Sequence, residues 1–183
     1  MEQTSMTQHP EHIGYILGIA GALWLIYFYC STVKVLRVVD GDGFVIRVRH
    51  GFLWLQTRDQ SIRLARDDAE EKGQAYGQKC REALQKKIEG KRVWIHKEAT
   101  DKYGRWVCMV YDIWGCVNQH QVFWGWAWNY AQYGGRYYWE ERFARTFRLG
   151  LWKQKNPTPP WEWRKKKQAK VIEMPIKKKV KSK

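Results

Sequence analysis

The stretch "VKVLRVVDGDGFVIRVRH", Val33 to His50, decides the fold of this chain. Apolar and polar residues alternate on both sides of its centre, and this period of two is typical of half-buried strands. The central "DGDG", residues 40–43, consists of residues that favour tight turns. The sequence therefore predicts an antiparallel hairpin, and taken alone its two aspartates are best explained as turn residues.

Further strands are predicted on the C-terminal side of this hairpin. "FLWLQ" (52–56), "SIRLA" (61–65), "KRVWIHKE" (91–98) and "RWVCMVY" (105–111) have strand composition. A helix is predicted after the third strand, because Tyr76, Cys80, Leu84 and Ile88 recur every four residues before Gly90. Two closing helices are predicted, "QHQVFWGWAW" (119–128) after Asn118 as N-cap and "YYWEERFARTFRL" (137–149). With "FLWLQ" and "SIRLA" counted together as the third strand, the chain has five predicted strands. Five strands with about three helices predict an α+β fold, mainly β, built on a small barrel.

Residues 1–32 are predicted to form an N-terminal tail and a membrane anchor. The run Ile13 to Cys30 contains no charged residue, and as a helix it would reach ~27 Å, close to the thickness of the hydrocarbon layer. A cleaved signal peptide of an exported protein is the alternative. No Lys or Arg precedes the run and no small-x-small cleavage pattern follows it, so a single-pass anchor is favoured.

Basic residues dominate the rest of the chain. The formal net charge is +15, and residues 164–183 hold ten Lys or Arg and one Glu. The prolines in "NPTPP", 156–160, predict the end of a folded domain over 33–155. Residues 156–183 are then a linker and a disordered basic tail for nucleic acid or anionic lipid. The four cysteines form no CxxC pair, which argues against zinc, while a Cys108–Cys116 disulfide stays open.

Two further motifs carry residue types suited to phosphate chemistry. "IRLARDDAEE", 62–71, combines two arginines with four carboxylates, and "TDKYGR", 100–105, combines Lys, Tyr and Arg. Carboxylates can bind a hard cation such as Ca²⁺ or activate a water, and guanidinium groups bind phosphate through two donors. Each motif alone could be a solvated helix start or a charged turn.

Taken in order with "GWAWNYAQY" (125–133) and "LGLW" (149–152), these motifs resemble the staphylococcal nuclease (thermonuclease) family over about Val33 to Trp152. The resemblance implies an OB-fold barrel and a calcium-dependent nuclease acting on DNA and RNA with little sequence preference. It also implies the site residues, which are catalytic Arg63, Glu71 and Arg105, calcium ligands Asp42 and Asp68, and substrate-binding Lys102, Tyr103 and Tyr133. Where the family has a second ring-stacking tyrosine this chain has Ala131, and the adjacent Tyr130 is assigned to that substrate-binding role.

The chain departs from the family pattern at three positions near the expected metal. Gly43 replaces a Thr, Arg66-Asp67 replaces Gly-Ile, and Glu70 replaces the Pro before the catalytic glutamate. The loss of that Pro removes a fixed φ beside Glu71. The alternative to an enzyme is a non-catalytic OB-fold module that binds nucleic acid at a membrane.

Overall fold

The computed structural model describes residues 10–50, 56–131, 134 and 136–173. The strands in these residues are β1 (Val33–Val38), β2 (Gly43–His50), β3 (Gln56–Leu64), β4 (Asp67–Asp68), β5 (Arg92–Thr100), β6 (Trp106–Asp112), β7 (Gly115–Cys116) and β8 (Trp128–Asn129). The helices are α1 (Pro10–Ser31), α2 (Gly77–Ile88), α3 (Val117–Phe123), α4 (Tyr138–Thr146) and α5 (Pro160–Glu173), with a 3₁₀ helix at Gly150–Lys153.

Five of these strands close into a mixed barrel. The order β3-β2-β1-β5-β6 is held by antiparallel pairs, and a parallel pairing of β3 with β6, from Ile62↔Trp106 to Leu64↔Cys108, closes it. The predicted hairpin is β1–β2, with Val38 opposite Phe44 and a bulge between Val35 and Arg37. The prediction of a five-stranded barrel is therefore confirmed.

The apolar faces of the strands and of α2 form the core of the barrel. The face of α2 predicted from four-residue spacing is fully buried at Cys80, Leu84 and Ile88. Leu84 and Ile88 pack into the main cluster with strand residues, among them Phe44, Ile46, Ile62, Leu64, Val93 and Val110. Burying these side chains supplies most of the driving force for folding.

The second predicted helix is shorter than expected. α3 ends at Phe123, and the next turn places Gly125 at φ +68, where an added Cβ would lie 2.5 Å from the Leu149 carbonyl oxygen. The chain then forms β8 against β4 instead of continuing as a helix. Asn118 is not the predicted N-cap either, because it lies inside α3, fully buried, and its amide oxygen accepts from the Val110 N–H at 2.9 Å.

The two ends of the chain differ from the sequence prediction. A helix, α1, covers the predicted anchor, but no described helix has the length and apolarity needed to cross a membrane. The prediction of a disordered tail is wrong for Pro160–Glu173, which form α5. Proline fits the first turn of a helix, where its missing N–H has no partner to lose, and Trp161 gives α5 an aromatic contact with the domain. Residues 174–183 lie outside the described residues. Cys108 and Cys116 are free thiols.

Candidate active site

A cavity of about 850 Å³ brings the sequence-predicted residues together. It lies where the start of β2, the end of β3, the β5–β6 turn and α5 meet. Of the predicted residues, those that line it are Asp42, Arg63, Glu71, Lys102, Tyr103, Arg105 and Tyr130. Asp68 adjoins the cavity through its contacts with lining arginines. Tyr133 lies outside the described residues.

Arg63 lies between the two predicted metal ligands. Register places Arg63 opposite Gly43 in the β2–β3 pair, so the neighbouring Asp42 adjoins the end of β3. The Nη2 atom of Arg63 lies 2.9 Å from Asp42 Oδ2 and 2.7 Å from Asp68 Oδ1. One guanidinium nitrogen therefore contacts both carboxylates, and the side chain is about one-fifth exposed.

Burial makes the ionised form of the Asp42 carboxylate unfavourable. Burial raises its pKa well above the usual range, and the nearby charges of Asp40 and Asp68 add to this rise against the opposing effect of Arg63. Asp42 Oδ2 and Asp40 Oδ1 are buried and accept no well-aligned hydrogen bond. A buried carboxylate in this state gains from a nearby cation.

The donor chemistry of Asp42 and Asp68 fits a hard cation such as Ca²⁺, which binds carboxylate oxygens together with water. Both side chains are nearly fully buried and come from separate segments, so their positions are set by the barrel. No group of three His, Cys, Asp or Glu side chains in the described residues forms a preformed metal cage. Two carboxylates would leave coordination positions open to water and phosphate, as a catalytic cation requires.

The neighbouring glutamates Glu70 and Glu71 have different environments. Glu70 is 2 % exposed and accepts hydrogen bonds from the Tyr76 N–H at 2.8 Å and from Gln154 Nε2 at 2.9 Å. Burial raises the pKa of Glu70, against the effect of these two bonds. The side chain of Glu71 is 42 % exposed and lines the cavity. Both residues line the cavity, but the buried Glu70 carboxylate is held by its hydrogen bonds to the start of α2 and to Gln154, whereas the Glu71 carboxylate is partly exposed there.

Glu71 is held in place without the proline that the family pattern has at position 70. The N–H of Glu71 donates to Gln74 Oε1 at 2.7 Å. The start of α2 packs so closely on the Glu71 carbonyl that a Cβ on Gly77 would lie 2.0 Å from its oxygen. The tight contact and the bond from Gln74 restrain the backbone that the proline would have restrained.

The β5–β6 turn presents Arg105 to the cavity. Asp101 accepts from the N–H groups of Tyr103 and Arg105 at 2.9 and 3.0 Å and from Arg105 Nε at 2.7 Å. Burial alone would raise the pKa of Asp101, but the hydrogen bonds from Arg105 and Tyr103 outweigh it and lower the pKa. Gly104 supplies the positive φ of the turn. Lys102 Nζ lies 5.1 Å from the centre of the exposed Tyr103 ring.

The departure at Arg66 and Asp67 has a structural explanation. Arg66 adopts φ +68, a conformation that glycine adopts more easily, and its Nη2 pairs with Glu98 Oε1 at 2.6 Å. Asp67 is buried and accepts from Asn118 Nδ2 at 3.2 Å, while its own pKa is raised well above the usual range by burial. Arg66 and Asp67 both line the cavity next to Asp68, with which Asp67 forms the short strand β4.

Sequence reasoning missed the four cavity residues in α5, of which Arg164 and Trp161 make the contacts with the site. Arg164 Nη2 lies 2.6 Å from Asp68 Oδ2, and its Nη1 lies 2.7 Å from Glu71 Oε1. The Trp161 ring stacks on the Tyr130 ring with centroids 5.2 Å apart and planes 9° apart. The lysine-rich composition of α5 predicted a disordered tail, so these contacts were not expected. Its two tryptophans, Trp161 and Trp163, were a signal that the segment packs against the domain.

The chain is similar in sequence to proteins that are named as nucleases. Residues 61–154 match the family model described as staphylococcal nuclease homologue. A Shigella flexneri protein named micrococcal nuclease is 32% identical over 145 residues, covering 72% of this chain and 79% of the relative. A Haemophilus influenzae protein named as an uncharacterized endonuclease is 31% identical over 137 residues, covering 74% of each chain.

A longer plant relative matches over the same region. The Arabidopsis thaliana protein named staphylococcal-like nuclease CAN1 is 38% identical over 111 residues, which cover 59% of this chain and 34% of that protein. This chain therefore spans about a third of the plant relative and about three quarters of the two bacterial ones. The matched region contains Arg63, Glu71 and Arg105. The chain belongs to the staphylococcal nuclease family of endonucleases.

Proposed function

We propose that the chain is a calcium-dependent nuclease that hydrolyses phosphodiester bonds of DNA and RNA with little sequence preference. The observation that carries this proposal is the convergence of Asp42, Arg63, Asp68 and Glu71 at one open cavity. By family likeness, water attacks phosphorus and leaves a 3′-phosphate and a 5′-hydroxyl. The proposed chemistry acts on phosphate groups, which all nucleotides share, and this favours broad specificity.

Asp42 and Asp68 would hold the calcium ion, which when bound draws a phosphodiester oxygen and a water together. Glu71 accepts the proton of the attacking water, because its partly exposed carboxylate faces the cavity. Arg63 and Arg105 donate to the phosphate oxygens, on which negative charge grows during attack. The carboxylates that hold each arginine also fix its orientation.

The remaining predicted residues bind substrate away from the scissile bond. Lys102 and Tyr103 lie on the β5–β6 turn beside Arg105, where they can contact a neighbouring phosphate. The Tyr130 ring offers a stacking surface for a base. The basic C-terminal segment adds attraction for the polyanion that does not depend on sequence.

Digestion of plasmid DNA and of a structured RNA, with calcium or with excess chelator, tests the proposal. We expect both substrates to be degraded with calcium and to survive with chelator. Cleavage at full rate in chelator would contradict the metal-dependent mechanism. Retention of nucleic acid in a gel-shift assay without any cleavage would favour the non-catalytic module.

Asp42→Asn and Asp68→Asn should each raise the calcium concentration for half-maximal cleavage by about tenfold or more, because each removes one anionic ligand. The measurement is the initial rate on one oligonucleotide across a calcium titration. Asp59→Asn is the matched control, since Asp59 is a half-exposed aspartate paired with Arg47 on the barrel surface. Equal calcium requirements for all four proteins would exclude both ligand assignments.

Removal of residues 1–30 should leave the cleavage rate within a few-fold of the full chain. None of the α1 residues whose side chains the structure describes lines the cavity. The retained Thr32 keeps its contacts with Arg92, at 2.8 Å from its Oγ1 to Nε and 2.6 Å from its carbonyl oxygen to Nη2. The lost contacts include the edge-on packing of Phe28 on Trp94 and the hydrogen bonds that the Thr32 N–H and hydroxyl donate to the Phe28 carbonyl oxygen. The cleavage rates of the truncated and full chains are compared at saturating calcium, and circular dichroism checks that the truncated chain is folded. A folded but inactive truncated chain would show that the nuclease domain needs residues 1–30.

A further inference from the structure

The helix α5 lies across the mouth of the candidate site. Its Trp161 ring covers one face of Tyr130 and also packs edge-on against Trp128, with centroids 5.6 Å apart. The segment that leads into it is fixed by a hydrogen bond from Gln74 Nε2 to the Thr158 carbonyl oxygen at 2.8 Å. Arg164, three residues along the helix, then reaches the acidic residues.

Arg164 satisfies the same oxygens that the proposed chemistry uses. Its Nη2 atom takes Asp68 Oδ2 at 2.6 Å, and its Nη1 atom takes Glu71 Oε1 at 2.7 Å and approaches Asp68 Oδ1 at 3.3 Å. Arg63 contacts the other oxygen of Asp68, Oδ1. Both carboxylate oxygens of Asp68 are thus engaged by guanidinium groups, and Glu71 is paired with a cation.

Charge favours this arrangement in the absence of another cation. A guanidinium group carries its positive charge throughout the neutral pH range, and that of Arg164 lies within 2.7 Å of carboxylate oxygens of both Asp68 and Glu71. The side chain of Asp68 is 1% exposed, while that of Arg164 is 34% exposed. Arg164 can therefore leave toward solvent, whereas Asp68 cannot.

We propose that Trp161 and Arg164 form an autoinhibitory contact, the α5 latch, in which Arg164 occupies Asp68 in place of calcium and pairs with the proposed base Glu71, and Trp161 covers a stacking face of Tyr130. Calcium and nucleic acid bind when the latch opens. The latch presupposes the calcium-dependent hydrolysis proposed above. It adds that the chain carries its own competitor for the calcium ligand Asp68.

The latch lowers apparent calcium affinity by the fraction of molecules in which it is open. If the closed arrangement holds about nine molecules in ten, the apparent dissociation constant is raised about tenfold. Calcium should also shift the population toward the open arrangement, because it binds that arrangement alone. Both effects are measurable without substrate.

Calorimetric titration of calcium into the full chain tests the latch. Arg164→Gln should bind calcium about tenfold more tightly than the unmodified chain, because it removes the competing charge. Lys166→Gln makes the same charge change at an exposed residue of the same helix that does not line the cavity, and it should leave calcium affinity unchanged. Equal affinities in all three proteins would overturn the latch, as would equal tightening by both substitutions.

Hydrogen–deuterium exchange gives a second readout on the unmodified chain. Peptides covering residues 160–173 should exchange faster with saturating calcium than with chelator, since opening releases α5 from the domain. Unchanged protection of these peptides would overturn the latch. A failure of the proposed function would be seen separately, as intact plasmid in the presence of calcium, because neither latch readout uses cleavage.

Discussion

Glu71→Gln should reduce the turnover of nucleic acid by ~10² to 10⁴, the usual contribution of a general base. The amide has the shape of the carboxylate but cannot accept the proton of the attacking water. Substrate affinity should stay within a few-fold, because Glu71 donates nothing to the phosphate. The measurement is a single-turnover cleavage rate at saturating calcium, together with binding of the same oligonucleotide in chelator.

Glu70→Gln is the matched control for this substitution. Glu70 accepts one bond from the Tyr76 N–H and one from Gln154 Nε2, and a glutamine has only one acceptor oxygen to replace both. We expect a loss of about 1–3 kcal/mol in the free energy of unfolding, with turnover within a few-fold of the unmodified chain. If Glu70→Gln instead lost turnover and Glu71→Gln kept it, the base would be Glu70.

Arg63→Lys and Arg105→Lys should each reduce turnover by about 10² to 10³, the range found when one preorganised donor to a developing negative charge is removed. Lysine keeps the charge but loses the planar pair of donors. Substrate affinity should fall far less than turnover, because an interaction made mainly in the transition state is being removed. Rates and affinities are measured on one oligonucleotide at saturating calcium.

Arg47→Lys is the control for the arginine substitutions, since Arg47 is half exposed and pairs with Asp59 on the barrel surface. Its turnover should match that of the unmodified chain. A rise in KM with unchanged turnover in Arg63→Lys would assign that residue to phosphate attraction alone. A rise in KM with unchanged turnover in Arg105→Lys would likewise assign Arg105 to phosphate attraction alone.

The barrel was predictable because its signals are local. Alternation across Val33 to His50 set the first hairpin, and four-residue spacing set α2. The end of α3 was not predictable in this way. Its early stop depends on close packing of Gly125 against the Leu149 carbonyl, a contact between residues far apart in sequence.

The candidate site was only partly predictable for a similar reason. Motifs located Asp42, Arg63 and Glu71, because the spacing of each motif follows the turn that carries it. The role of Asn118 depended on burial, since its side chain links α3 to the Ala65 carbonyl and to β6. Arg164 reaches Asp68 across 96 residues. The many lysines around Arg164 predicted only a basic tail, because net charge does not indicate which carboxylates a lysine-rich helix will contact.

The central claim is that this site hydrolyses phosphodiester bonds by attack of water on phosphorus. Cleavage of a defined DNA oligonucleotide with calcium in ¹⁸O-labelled water, followed by mass spectrometry of both products, tests it most directly. We expect one ¹⁸O atom in a 3′-phosphate and none in the 5′-hydroxyl fragment, with no products when Glu71→Gln is used for the same short time. Label on a 5′-phosphate, or unlabelled products, would contradict the account.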